Sequence, residues 1–120
     1  SHILPIYDGM TLAIDPGLTD AGATTVRVAS FNATPAVLDT MRSGSSVQMD
    51  VGMPNMWHSL SAADSTLRVL VGERPVNDHR IPVYAFTPEN TAGLDLSKED
   101  PTDWYGIDFL GEYKKIWGLP

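Results

Sequence analysis

Cysteine is absent from the 120 residues, which excludes thiol nucleophiles, disulfides and cysteine-zinc sites. Basic residues are scarce: eight Lys and Arg stand against 15 Asp and Glu, for a net charge of −7. Polyanions and anionic membrane surfaces recruit basic patches, so no nucleic acid is expected as a partner. No stretch approaches the roughly 20 apolar residues that span a bilayer. Gly-x-Gly-x-x-Gly and the P-loop pattern are both missing, which removes the usual phosphate cradles. His2, His58 and His79 lack metal-ligand spacing, and no metal or other cofactor is expected. No nucleophile–base pair stands out, so an enzyme is not expected. No internal repeat beyond the strand-helix alternation and no low-complexity tract is visible.

What is present reads as a folded α/β chain. The apolar share is 42% and the charged share 19%, enough for one modest core in one domain. Three short β-rich runs each lead into a helix-start signal. Ile3–Tyr7 precedes Asp8-Gly9-Met10, Val26–Phe31 precedes Asn32-Ala33-Thr34-Pro35, and Val47–Val51 precedes Gly52-Met53-Pro54-Asn55. Helices between strands are the crossovers that parallel pairing requires, so the fold class is α/β with a mainly parallel sheet and crossover helices. A fourth run, Ile81–Thr87, carries Pro82 near its start and suits an edge position. Ser1-His2 looks like a tag remnant, which puts the natural start upstream.

The first helix is expected to open at Asp8, with that carboxylate as its cap, and to kink or break at Pro16-Gly17. Thr34-Pro35 starts a second helix with a hydroxyl cap, ending near Arg42 and Gly44. A third is expected over Asn55–Gly72, capped by Asn55, with Met56, Leu60, Ala63, Leu67 and Leu70 on its apolar face. Thr87–Thr102 reads as surface loop. The aromatic tail Trp104–Trp117 needs a surface on which to dock.

In open parallel sheets, ligands settle at the carboxyl ends of the strands. That rule singles out Tyr7, Asn32, Gly52 and Met53, with Trp57 one turn into the third helix. Asn32 both donates and accepts hydrogen bonds, as a sugar hydroxyl requires, although a plain turn residue is the competing reading. Tyr7 and Trp57 either stack on a ligand or fill the core. Asp8, Asp20, Asp39 and Asp50 suggest a carboxylate pair, yet Asp8 and Asp39 read better as a cap and a solvated helix residue. The triplet Asn32-Ala33-Thr34 matches a glycosylation acceptor, but Thr34 is better explained as a helix cap.

The ordered motifs Asp8-Gly9-Met10, Ser30–Pro35, Leu38–Gly44, Val51-Gly52-Met53-Pro54 and Leu70-Val71-Gly72-Glu73 resemble one family. It is the type I periplasmic sugar-binding proteins of ABC transporters, the ribose-binding group and its relatives, in their C-terminal part. Pro82–Asn90 resembles that family's last strand, and Tyr113–Gly118 resembles the termini of some solute-binding members. The resemblance implies residues 1–90 as a C-terminal lobe fragment, whose helix 55–72 normally packs on the other lobe, and 91–120 as a loop and docking tail. It implies a sugar or polyol ligand, a membrane permease of an ABC transporter as partner, and an absent N-terminal lobe. It also implies a periplasmic or extracellular setting, including a lipid-anchored parent. In the family's pattern Tyr7 replaces an asparagine, Asn32 an aspartate and Gly52 a glutamine among the sugar contacts. A larger or less polar ligand then fits, with Met53 and Trp57 as further contacts. A fragment of such a clamp is expected to bind weakly and to associate with itself as a homo-oligomer. The effector domain of LacI-type transcription regulators shares the architecture and is the alternative.

Overall fold

The computed structural model describes residues 1–97 and 102–120. The chain divides into two compact units, each described by itself. One holds Ser1–Met53 and the segment beginning at Val83; the other holds Pro54–Pro82 and the C-terminal segment. The chain leaves the first unit after Met53 and returns at Val83.

The first unit is built on a four-stranded sheet in the order β1 (His2–Ile3), β2 (Arg27–Asn32), β3 (Val47–Gly52), β4 (Tyr84–Phe86). The first three strands pair in parallel, as the strand-helix rhythm predicts, and β4 joins the edge antiparallel to β3. The fold is thus α/β with a mostly parallel sheet. The first strand is shorter than the Ile3–Tyr7 run: only His2–Ile3 pairs, and it uses His2. Leu4 and Ile6 are exposed, since no second strand reaches them.

Right-handed crossovers between strands laid side by side place α1 (Thr11–Asp20) and α2 (Pro35–Arg42) on one face. There Val28, Val47 and Phe86 of the sheet and Val37, Leu38 and Met41 of α2 are almost wholly buried. Pro16 does not break α1, which runs through it; the irregularity comes earlier, as a 3₁₀ turn at Asp8–Met10. Thr34 stands at the α2 cap position with Pro35 following, but its hydroxyl makes no capping bond. It donates instead to Asp8 Oδ2 at 2.5 Å, and the Thr34 amide donates to the same oxygen at 2.7 Å. Asp8 therefore serves the start of α2, across the fold, rather than the start of its own helix.

The stretch read as loop after Thr87 contains a short helix, α4 (Pro88–Thr91). Asn90 organises it: its Oδ1 accepts from the Thr87 amide at 2.8 Å and its Nδ2 donates to the Ala85 carbonyl at 2.9 Å. Arg42 Nη1 donates to the Leu94 carbonyl at 2.9 Å, holding this segment to the end of α2. Residues 98–101, in the rest of that stretch, lie outside the described residues.

In the second unit α3 (Asn55–Leu70) packs against α6 (Phe109–Ile116), with α5 (Thr102–Tyr105) preceding α6. The aromatic tail docks, as expected, but it is two helices rather than one. Gly106, at φ 69°, takes the left-handed turn between them, which a side chain would strain. Pro54, not Asn55, is the α3 cap residue, and no side chain caps it. The buried positions of α3 are Ser61 and Asp64. Of the apolar face, Met56 and Leu60 are half-buried, while Leu67 is 48% and Leu70 76% exposed. The physical reason lies in the tail, which offers α3 hydrogen-bonding groups as well as rings. Trp57 stacks on Phe109 with centroids 5.3 Å apart and planes at 17°. Asp64 Oδ1 accepts from Trp117 Nε1 at 3.0 Å while its Oδ2 accepts from Arg68 Nε at 2.8 Å. His79 lies between Ser65 Oγ, 3.2 Å from Nε2, and the Tyr113 hydroxyl, 3.3 Å from Nδ1. No helix among the described residues is long and apolar enough to cross a membrane.

Candidate functional site

Parallel strands bring their carboxyl ends to one rim, and the register assigns the residues there. Asn32 pairs with Gly52, and Gly52 with Tyr84. One pleat below on the same face, Ser30 pairs with Asp50, and Asp50 with Phe86. The edge-on contact of Tyr84 with Phe86, centroids 4.9 Å apart, agrees with that shared face. Two rows result: Asn32, Gly52 and Tyr84 at the rim, with Ser30, Asp50 and Phe86 beneath.

The rim backbone is strained. Asn32 has φ 127° and Ala33 φ 58°, consecutive positive values at residues that carry side chains. Such conformations cost on the order of 1–3 kcal/mol each and persist where the surroundings hold them. Here the holding group is visible. Asp8, 1% exposed, grips the Thr34 amide and hydroxyl immediately after the turn. The strained turn presents Asn32, half-buried, at the strand end.

The second row is short of partners. Asp50 is fully buried, Ser30 is 6% exposed, and neither carboxylate oxygen nor the Ser30 hydroxyl has a hydrogen-bond partner. Loss of water pushes the Asp50 carboxyl up to about 7 from 3.8, with the Asp8 carboxylate adding to the rise. The Ser30 hydroxyl and Ala33 amide oppose it from nearby without reaching the distance and angle of formed bonds. A carboxyl of this kind keeps its proton below neutral pH, and above it carries a charge that a donor or cation would stabilise. Unpaired buried polar groups are rare enough to require an explanation, and a ligand is one.

Of the residues that sequence reasoning assigned to the site, Asn32 and Gly52 are brought side by side, and Met53 follows Gly52 at the end of the first unit. Tyr7 is 50% exposed on the loop between β1 and Asp8. Its ring lies over Gly9, where a Cβ would come within 2.8 Å of Cε2, so a side chain there would displace the Tyr7 ring. Trp57 belongs to the second unit, where Phe109 stacks on one face of its ring. Asp50, Ser30 and Tyr84 were not selected from sequence. The available signal was Asp50 itself, a carboxylate inside the apolar run Val47–Val51. A cleft of about 570 Å³ opens at the opposite rim, lined by Asp15, Arg27, Ser43, Ser46 and Gln48 among others.

No protein-family model and no curated protein matches the chain. Its fold is similar to that of a protein from Mycobacterium smegmatis known from a crystal structure, with 17% identity and a TM-score of 0.55. The likeness covers 96% of this chain and 37% of that one, so the chain spans well under half of that neighbour's length. At this identity the likeness concerns the fold alone.

Proposed function

We propose that the rim carrying Tyr7, Asn32, Gly52, Met53 and Tyr84 is one wall of a cleft for a polyhydroxylated small molecule. In this reading the chain is part of an extracytoplasmic solute-binding protein that delivers a sugar or polyol to the permease of an ABC transporter, in the periplasm or outside the cell. The observation that supports it best is the strained Asn32-Ala33 turn, held by Asp8 at the end of a parallel strand, where α/β sheets bind ligands. Asn32 supplies a donor and an acceptor, and Tyr7 and Tyr84, 50% and 43% exposed, supply aromatic surface for an apolar sugar face. The role is capture rather than catalysis. An effector-binding domain of a LacI-type regulator is the second reading, and it shares the same wall.

A single wall leaves a ligand half desolvated and half contacted, so the 120-residue chain is expected to bind sugars and pentitols only weakly, near 1 mM. Amide chemical shifts of Asn32, Ala33 and Gly52 should move during such titrations, and Asn32→Ala should abolish the movement. Micromolar affinity by calorimetry would contradict the single-wall reading, and unmoved amides would contradict the site.

The outer face of α3 adds an expectation of self-association. Leu67, Leu70 and Val71 are 48%, 76% and 76% exposed, and an apolar patch of that kind favours a partner. A second copy of this chain is the partner proposed. Light scattering at high concentration should give a mass above 13.0 kDa, and Leu67→Glu with Leu70→Glu should return it to the monomer. A clean monomer from the unaltered chain would refute the association.

A further inference from the structure

Two buried carboxylates share one end of the sheet without a cation between them. Asp8 Oδ2 accepts from the neutral amide and hydroxyl of Thr34, and Asp50 has no formed hydrogen bond among the described residues. The ion pairs observed among the described residues, Arg42–Asp39, Arg68–Asp64 and Lys115–Glu112, all lie on other carboxylates. Beside Asp50, the Ser30 hydroxyl is also unpartnered and 6% exposed, on the same face and in register. Three oxygens that accept hydrogen bonds thus await donors. Above them Gly52, itself buried, places only backbone between Asn32 and Tyr84 in the first row. Gly52 and Asp50 are two residues apart along the strand, about 7 Å, within the reach of a short aminoalkyl arm.

We infer that this second row, Ser30 and Asp50 backed by Asp8, receives a positively charged amine of the ligand, so that the molecule bound at the rim is an amino-bearing polyol. The inference rests on the ligand-wall reading and narrows its ligand class. An ammonium has three donors and no acceptor, which matches two carboxylate oxygens and a hydroxyl. A neutral sugar hydroxyl arriving in the same place adds an acceptor and leaves the carboxylate charge without compensation. Tyr84 at the side of the path suits a cation as well, since aromatic faces attract one.

The test compares two probes that differ at a single group, glucitol and 1-amino-1-deoxyglucitol, titrated into the full chain at pH 7.5 and followed by the Asn32 and Gly52 amides. The amine is expected to bind about tenfold more tightly or better. Asp50→Asn and, separately, Ser30→Ala should each remove that advantage, while Glu112→Gln in the second unit, which lowers the acidic charge equally, should keep it. Equal affinity for the two probes in the unaltered chain overturns this inference and leaves the ligand wall standing. An amine advantage that survives Asp50→Asn also overturns it, by assigning the preference to the general negative charge. Unmoved rim amides with both probes overturn the wall and the inference together.

Discussion

Replacing Asp64 by alanine is expected to loosen α6 from α3 and to cost about 3 kcal/mol of stability. The carboxylate is 4% exposed and accepts from both the Trp117 indole and the Arg68 guanidinium. Alanine strands both donors. Removing one partner of a buried pair costs about 3–5 kcal/mol, and the low end applies because Arg68, with its side chain 34% exposed, regains water. The Arg68 hydrogen bond, aided by that of Trp117, holds the Asp64 carboxyl below its ordinary 3.8 despite burial. A lowered folded value stabilises above the unfolded value and is lost as pH falls through the folded one, so the contribution is full at pH 7 and fades below pH 3.8. Urea unfolding of Asp64→Ala at pH 7, with tryptophan emission as the probe, should show the loss and a red shift. Asp64→Asn keeps an acceptor for Trp117 and should lose less. Unchanged stability and emission in Asp64→Ala would show that the tail docks through its rings alone.

That network marks where sequence reasoning about α3 succeeded and where it failed. Helical spacing of Met56, Leu60, Ala63, Leu67 and Leu70 located the helix, because periodicity reports an amphipathic segment whatever it packs against. It did not identify the side that packs on the tail, since the neighbouring helix brings Trp117 and Tyr113 with polar tips, and these select Asp64 and Ser65 by direct or histidine-bridged hydrogen bonds. Long-range side-chain partners leave no local spacing signal. The same holds for Asp8, whose capping of α2 spans 26 residues of sequence and could not be told from local capping.

The sheet was more legible than its edges. Alternating helices and β-rich runs imply parallel crossovers, and β1, β2 and β3 are parallel. The antiparallel entry of β4 follows from the excursion through Pro54–Pro82, which returns the chain from another unit rather than through a crossover helix. At the site, the strand-end rule found Asn32 and Gly52 because it needs only strand boundaries. Asp50 and Ser30 required the register, which a bulge between Val28 and Ala29 alters by one residue and which no pattern in the sequence announces.

Asp50→Asn is expected to stabilise the protein at pH 8 and to destabilise it by a comparable amount at pH 4. The folded carboxyl titrates at about 7 and the unfolded one at 3.8, mainly because burial disfavours the charge and Asp8 repels it. A raised folded value means that the stability is fully present below pH 3.8 and is lost as pH rises to about 7, beyond which the penalty is constant. At about 1.4 kcal/mol for each pH unit over that interval, the loss reaches roughly 4 kcal/mol. Asparagine carries no charge and avoids it, but its buried amide hydrogens find no ready acceptor, which returns about 1–3 kcal/mol. The net gain at pH 8 is therefore about 1–3 kcal/mol. The cleaner quantity is the difference between the two pH values in the effect of the substitution, near 4 kcal/mol, because every other titrating group cancels. Urea unfolding of both proteins at pH 4 and pH 8 measures it. A substitution effect that does not change with pH would mean that Asp50 is already satisfied in the folded chain and would count against the amine site. A gain at pH 8 would instead show that this carboxylate is kept at a cost to stability, as groups reserved for a ligand are.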